Sequence, residues 1–80
     1  MPGEPRPEHF RLLEALLFAT QTPLDEKTLG QRLPEGVDVK AALRALQLEY
    51  APRGVNLMHI GSKWTFRTAP DLSWLLTKEA

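Results

Sequence analysis

Ten basic and ten acidic residues cancel in this chain of 80 residues, which holds seven prolines and no cysteine; by surface scaling one domain of this size buries roughly 60% of the area its extended chain would expose. A content of 42% hydrophobic and 25% charged residues is that of an ordinary globular protein, not a disordered one. Disulfides and thiolate metal sites are excluded, no apolar run approaches the roughly 20 residues of a spanning helix, and the opening M-P-G-E-P-R-P-E lacks the apolar stretch of a secretory signal. The expectation is a cytoplasmic protein with no membrane partner, held by hydrophobic packing and open to stabilisation by self-association.

Residues 1–7 contain three prolines and a glycine and read as a disordered leader, so the domain is expected over residues 8–80. Helical spacing of Phe10, Leu13, Leu16 and Leu17, widened by Leu12, predicts a first helix over residues 8–20. Its polar sector is narrow, formed by Arg11, Glu14 and Ala15, and Phe18 projects into it. Two readings stay open: a central helix packed on several sides, or a helix that presents Phe18 to a protein partner. Thr22-Pro23 ends this helix, and Asp25 caps a short second one over residues 26–33, because its carboxylate accepts from the open amides of the first turn. Pro34-Glu35-Gly36 stops that helix, and Asp38 caps a third over residues 39–50. Val39, Ala42, Leu43, Leu46 and Tyr50 form its core side; Lys40, Arg44 and Gln47 lie opposite, with Ala41, Ala45 and Leu48 as an apolar flank.

After Pro52-Arg53-Gly54, residues 55–68 alternate in a two-residue period broken at Gly61-Ser62, which predicts a β-hairpin with a primed turn. Pairing Ile60 with Lys63 then sets His59 opposite Trp64, Leu57 opposite Phe66 and Val55 opposite Thr68, all on the core face. Asn56, Met58, Ile60, Lys63, Thr65 and Arg67 share the other face, where Met58 and Ile60 are the apolar exceptions. Thr68 is expected to cap a last helix with Pro70 in its first turn, Asp71 near the positive end of its dipole, and Leu72, Leu75 and Leu76 docking it. Trp64 is assigned to the core; Trp74 is either half-buried against the hairpin or exposed for a partner. Three helices, a hairpin and a C-terminal helix make an α+β winged helix: a three-helix core, a two-stranded wing and a closing helix.

No catalytic constellation is visible. His9 is placed on the polar shoulder of the first helix and His59 in a strand, with no acidic cluster of metal-ligand type near either. Ser62 and Ser73 lack a motif that supplies a base or an oxyanion hole, and the glycines form no phosphate loop. The chain therefore reads as a non-enzyme without a cofactor or metal. Charge is uneven, however. Within residues 38–67, Lys40, Arg44, Arg53, Lys63 and Arg67 oppose only Asp38 and Glu49, a local excess of +3. Winged helices often place the third helix in the major groove and the wing on the backbone, which makes Lys40, Arg44, Gln47, Arg53 and Lys63 candidate DNA contacts. Ordinary solvated charge is the competing explanation, and any affinity from so few cations is weak, nonspecific and salt-sensitive. Candidates for a protein interface are Phe18, Leu48, Met58, Ile60 and Trp74, apolar groups on otherwise polar faces.

The run L-E-A-L-L-F-A at residues 13–19, Pro23-Leu24 before the second helix, the spaced leucines and tyrosine of residues 42–50, R-G-V at residues 53–55 and W-T-F-R-T-A-P at residues 64–70 resemble, in order, the first winged-helix domain of the segregation and condensation protein B family. The resemblance implies a non-enzymatic accessory subunit of the bacterial SMC condensin, bound to the kleisin subunit and the SMC ATPase, associated with the nucleoid, and active in chromosome condensation and segregation. In that family two winged-helix domains occur in tandem, the first linked with self-association and the second with much of the kleisin contact. The present residues correspond to the first, with residues 77–80 expected to run on into a linker, so a homodimer is the expected state. The rival reading is a winged-helix transcriptional regulator, with Lys40, Arg44 and Gln47 in the groove and Lys63 on phosphate.

Overall fold

The computed structural model describes residues 6–76, and three helices, a sheet and a terminal 3₁₀ segment follow in chain order. Helix α1 spans Pro7–Ala19. It begins at the last residue assigned to the leader, because proline suits the first helical position, where its missing N–H goes unused; Arg6 precedes it as the cap, and residues 1–5 lie outside the described residues. His9 is not on a polar shoulder. It is buried, and its Nδ1 accepts the Arg6 backbone N–H at 3.0 Å, closing the start of the helix. Leu13 and Leu17 are buried on the core side, Phe10 and Leu16 pack partly against it, and Leu12 stands out at 41% exposure.

Helix α2 spans Glu26–Arg32 and helix α3 spans Val39–Tyr50. Both caps form as the sequence implies: the Thr28 N–H donates to Asp25 Oδ1 at 2.7 Å and the Ala41 N–H to Asp38 Oδ1 at 3.0 Å. Gly30 lets α2 and α3 close together, since a Cβ there would sit 3.3 Å from Val39 Cγ2. Ala42, Leu43, Leu46 and Tyr50 of α3 meet Leu13, Leu17, Leu29 and Leu33 in the core, with Leu57 and Trp64 as the contribution of the sheet.

The wing has three strands where two were expected. Strand β1 (Leu24–Asp25) pairs with β3 (Lys63–Thr68), which pairs in turn with β2 (Val55–Ile60), all antiparallel, in the order β1-β3-β2. The hairpin register runs from Val55 against Thr68 to Ile60 against Lys63, as the alternation implies. At the reversal Gly61 has φ +63° while Ser62 stays out of the positive region, so the turn is of the II′ type, whose twist matches the strands. The alternation places Leu57 and Trp64 inside and Lys63 and Arg67 outside as expected, but His59, assigned to the core face, is exposed near the wing tip, and Met58 and Thr65 of the outer face are half-buried.

Beyond β3 the chain forms a 3₁₀ segment, Pro70–Leu76, not the docked helix expected from its leucines. Leu72 alone is half-buried, beside Gly54; Leu75 and Leu76 are 59% and 71% exposed. The reason is positional. Thr68 stays in the ladder, and the Ala69 N–H donates to Gly54 O at 2.8 Å. The chain therefore leaves the sheet where the inner face is already covered by α1 and α3, and the later leucines find no apolar ground.

Candidate functional site

The five apolar interface candidates sit on four parts of the fold, Met58 and Ile60 sharing a strand. Phe18 closes α1 over the sheet: its ring stacks on Phe66 at 4.3 Å and 9°, and Phe66 meets Tyr50 edge-on at 4.9 Å. One ring face is thus used, yet Phe18 remains 56% exposed at the rim of a groove lined by Gln21, Val55, Thr65 and Arg67. The packed reading of Phe18 holds for the ring face on Phe66, and the rest of the side chain is exposed. Met58 is half-buried and Ile60 is 44% exposed on the outward face of β2, the edge strand. Leu48 projects from α3 at 75% exposure, and Trp74 from the terminal segment at 65%, which makes Trp74 a surface residue.

The basic candidates separate. Lys40 and Arg44 are exposed on one line of α3, since residues four apart share a helix face. Lys63 stands at the wing tip beside the turn. Arg53 belongs elsewhere: its guanidinium lies 4.9 Å over the Tyr50 ring and borders the groove between α1 and α3, with Glu14 and Glu49. Gln47 is half-buried, and its Nε2 donates to the Leu57 carbonyl at 3.1 Å. The one neutral side chain on this helix face suited to bidentate contact with a base edge therefore has its amide hydrogen-bonded to the wing.

Two side chains that pattern reading passed over organise this region. Asn56 Nδ2 donates to the carbonyls of Tyr50 at 2.8 Å and Arg53 at 3.2 Å, tying the end of α3 to the start of β2. Glu26 accepts from Trp64 Nε1 at 3.2 Å, which satisfies the indole of a side chain only 2% exposed. On the outer side of that indole, His59 stacks at 4.1 Å and 5°. The Tyr50 hydroxyl donates to Glu14 Oε2; that bond, with burial second, raises the phenol above its ordinary value. Hydrogen bonds from Thr28 hold the Asp25 carboxyl below the ordinary carboxylate range. An asparagine at the start of a strand, just after a loop, is the sequence cue for the first of these ties; the others are long-range and leave no periodic trace.

Among the described residues no group of three or more histidine, cysteine, aspartate or glutamate side chains is placed to hold a metal ion, and no helix is long and apolar enough to cross a membrane. What the surface offers is contact: exposed apolar groups, a basic row on α3 and two shallow grooves beside α1.

Residues 11–80 match the family model described as segregation and condensation complex subunit ScpB. A curated relative is a segregation and condensation protein B homolog of Coxiella burnetii, 36% identical across 80% of this chain and 34% of its own length. Among solved structures, ScpB from Mycobacterium tuberculosis superposes with a TM-score of 0.75 at 27% identity, covering 91% of this chain and 53% of that one. A conserved hypothetical protein from Chlorobium tepidum gives 0.69 at 25% identity, covering 86% and 46%. The chain thus spans 34% of the curated relative and about half of each solved chain.

Proposed function

Because the chain belongs to the segregation and condensation complex subunit ScpB family, we propose that it is a non-enzymatic scaffold module of the bacterial SMC condensin, working through self-association and contact with the kleisin subunit. The observation that carries this reading is the family match over residues 11–80, read together with apolar groups exposed on polar faces. The histidines are used structurally, His9 in closing a helix start and His59 in covering Trp64, in keeping with a surface that binds and does no chemistry. In this reading the protein works in the cytoplasm at the nucleoid, and the basic residues give duplex DNA no more than weak, nonspecific attraction.

The rival assignment as a sequence-specific regulator has less support. The amide of Gln47 is bound to Leu57 O, and Arg53 lies over Tyr50 beside α1, which leaves Lys40 and Arg44 as the cations of the α3 face. Sedimentation equilibrium of the chain at tens of micromolar tests self-association directly: a dimer is expected, and a monomer throughout that range overturns it. Met58→Lys combined with Ile60→Lys is expected to dissociate the dimer. An intact dimer in that variant moves the contact away from β2, to Phe18 or Trp74. Co-purification of the kleisin subunit with the chain tests the second contact, and its absence confines this module to self-association.

A further inference from the structure

Helix α3 presents a row that neither the core nor the wing uses. Lys40, Arg44 and Leu48 recur at every fourth residue and line one side of the helix, away from the buried Ala42, Leu43, Leu46 and Tyr50. All three are exposed, and Leu48, at 75%, is the most exposed large apolar side chain among the described residues. Ala41 and Ala45 flank the row and are half-buried, so the ground along it is low and apolar as far as Glu49, which continues their line at the end beside Leu48. The two cations stand four residues apart, and neither has a carboxylate three or four positions away on the helix. Like charges at that spacing repel, a strain that an approaching anion relieves.

Nucleic acid accounts for only part of this surface. Lys40 and Arg44 suit phosphate, but Gln47 is committed to Leu57 O, and a leucine finds little apolar surface in a hydrated, charged groove beyond a thymine methyl. A partner that offers apolar side chains and carboxylates together uses every feature of the row. We infer that this face of α3 docks an acidic amphipathic helix, its apolar residues seated on Leu48, Ala41 and Ala45 and its carboxylates against Lys40 and Arg44. The inference does not depend on self-association, and it gives Leu48 a role apart from Met58 and Ile60 on the wing.

The test uses two helical peptides of roughly 16 residues, long enough to hold a turn-to-turn apolar row. They share one leucine face, flanked in one by glutamate and in the other by lysine. Fluorescence anisotropy of each, titrated with the 80-residue chain, is expected to show binding of the acidic peptide alone. Leu48→Ser should weaken that binding by about tenfold, as truncation of a central apolar anchor does. Arg44→Glu should abolish it and admit the lysine peptide, a swap that misfolding cannot mimic. Equal binding of both peptides, no binding of the acidic one, or indifference to Leu48→Ser overturns the inference. So does a duplex DNA probe that binds more tightly than the acidic peptide and whose affinity falls with Arg44→Glu but not with Leu48→Ser. Loss of a peptide-free dimer in Leu48→Ser would make the row a contact between copies of this chain, and also overturns it. A chain that proves monomeric still binds the acidic peptide, which keeps this outcome separate from the fate of the self-association reading.

Discussion

The hairpin of β2 and β3 and the 3₁₀ segment after it are neighbours in the chain, and each carries a tryptophan among aliphatic residues. Trp64 is 2% exposed and Trp74 is 65% exposed. Hydrophobicity does not separate them; backbone placement does. The ladder holds Trp64 on the inner face, where Glu26 meets the indole N–H and His59 covers the ring. Trp74 follows a segment tied to the fold by the Ala69 to Gly54 hydrogen bond and by Leu72 beside Gly54. Apolar groups are buried where hydrogen-bonded backbone delivers them to unfilled ground, and they stay outside where it does not.

Replacing each tryptophan by alanine puts the contrast to its hardest test. Trp64→Ala is expected to cost about 3–5 kcal/mol through lost transfer and a cavity, much of the 5–15 kcal/mol typical of a whole domain. Urea denaturation of this variant should show little or no folded baseline. A smaller loss would mean that the ladder persists without its largest side chain. Gly61→Ala probes the reversal itself. Beyond the chain neighbours no atom lies within 4 Å of the added methyl group, so its effect is the backbone cost of a positive φ, about 1 kcal/mol, read as a lower urea midpoint at unchanged slope.

Asp25 sits where the hairpin meets α2, and its effect depends on pH. Its carboxyl is held low by hydrogen bonds from Thr28, so the ionised form favours the folded state. That contribution is present above the ordinary carboxylate range and is lost as pH falls through the lowered value. The midpoint difference between the parent chain and Asp25→Ala should therefore be largest near neutrality and shrink on acidification. A difference constant with pH would assign the effect to helix propensity instead. The smallest effect belongs to Trp74→Ala, expected within about 0.5 kcal/mol of the parent for an exposed side chain. A clear loss there would show that the terminal segment is packed after all and collapse the comparison.

The strand pair was legible in the sequence to the residue, because a two-residue period and a glycine turn leave little freedom of register. Both helix caps at Asp25 and Asp38 were legible for a similar local reason. Strand β1 was not, since two residues are too few to show a period and Pro23-Leu24 reads as a turn. The terminal leucines misled because spacing reports which residues could share a face, not whether a surface remains for that face to cover. His9, Gln47 and Asn56 were placed by helical or strand period, and what they do depends on a backbone group that period does not reveal. Among the surface candidates, exposure of Leu48 and Ile60 followed from pattern, Phe18 and Trp74 stood open between two readings, and the separation of Arg53 from Lys40 and Arg44 left no trace in the sequence.

The short β1 strand has an effect out of proportion to its length. Together with the Glu26 to Trp64 hydrogen bond, which joins residues 38 apart, it ties the link between the first two helices to the far side of the wing. Closing so wide a span carries an entropic cost that local helix contacts do not. Amide protons of α2 and of β3 should then exchange with solvent in the same opening event, so that the smallest strand governs how cooperatively the molecule comes apart.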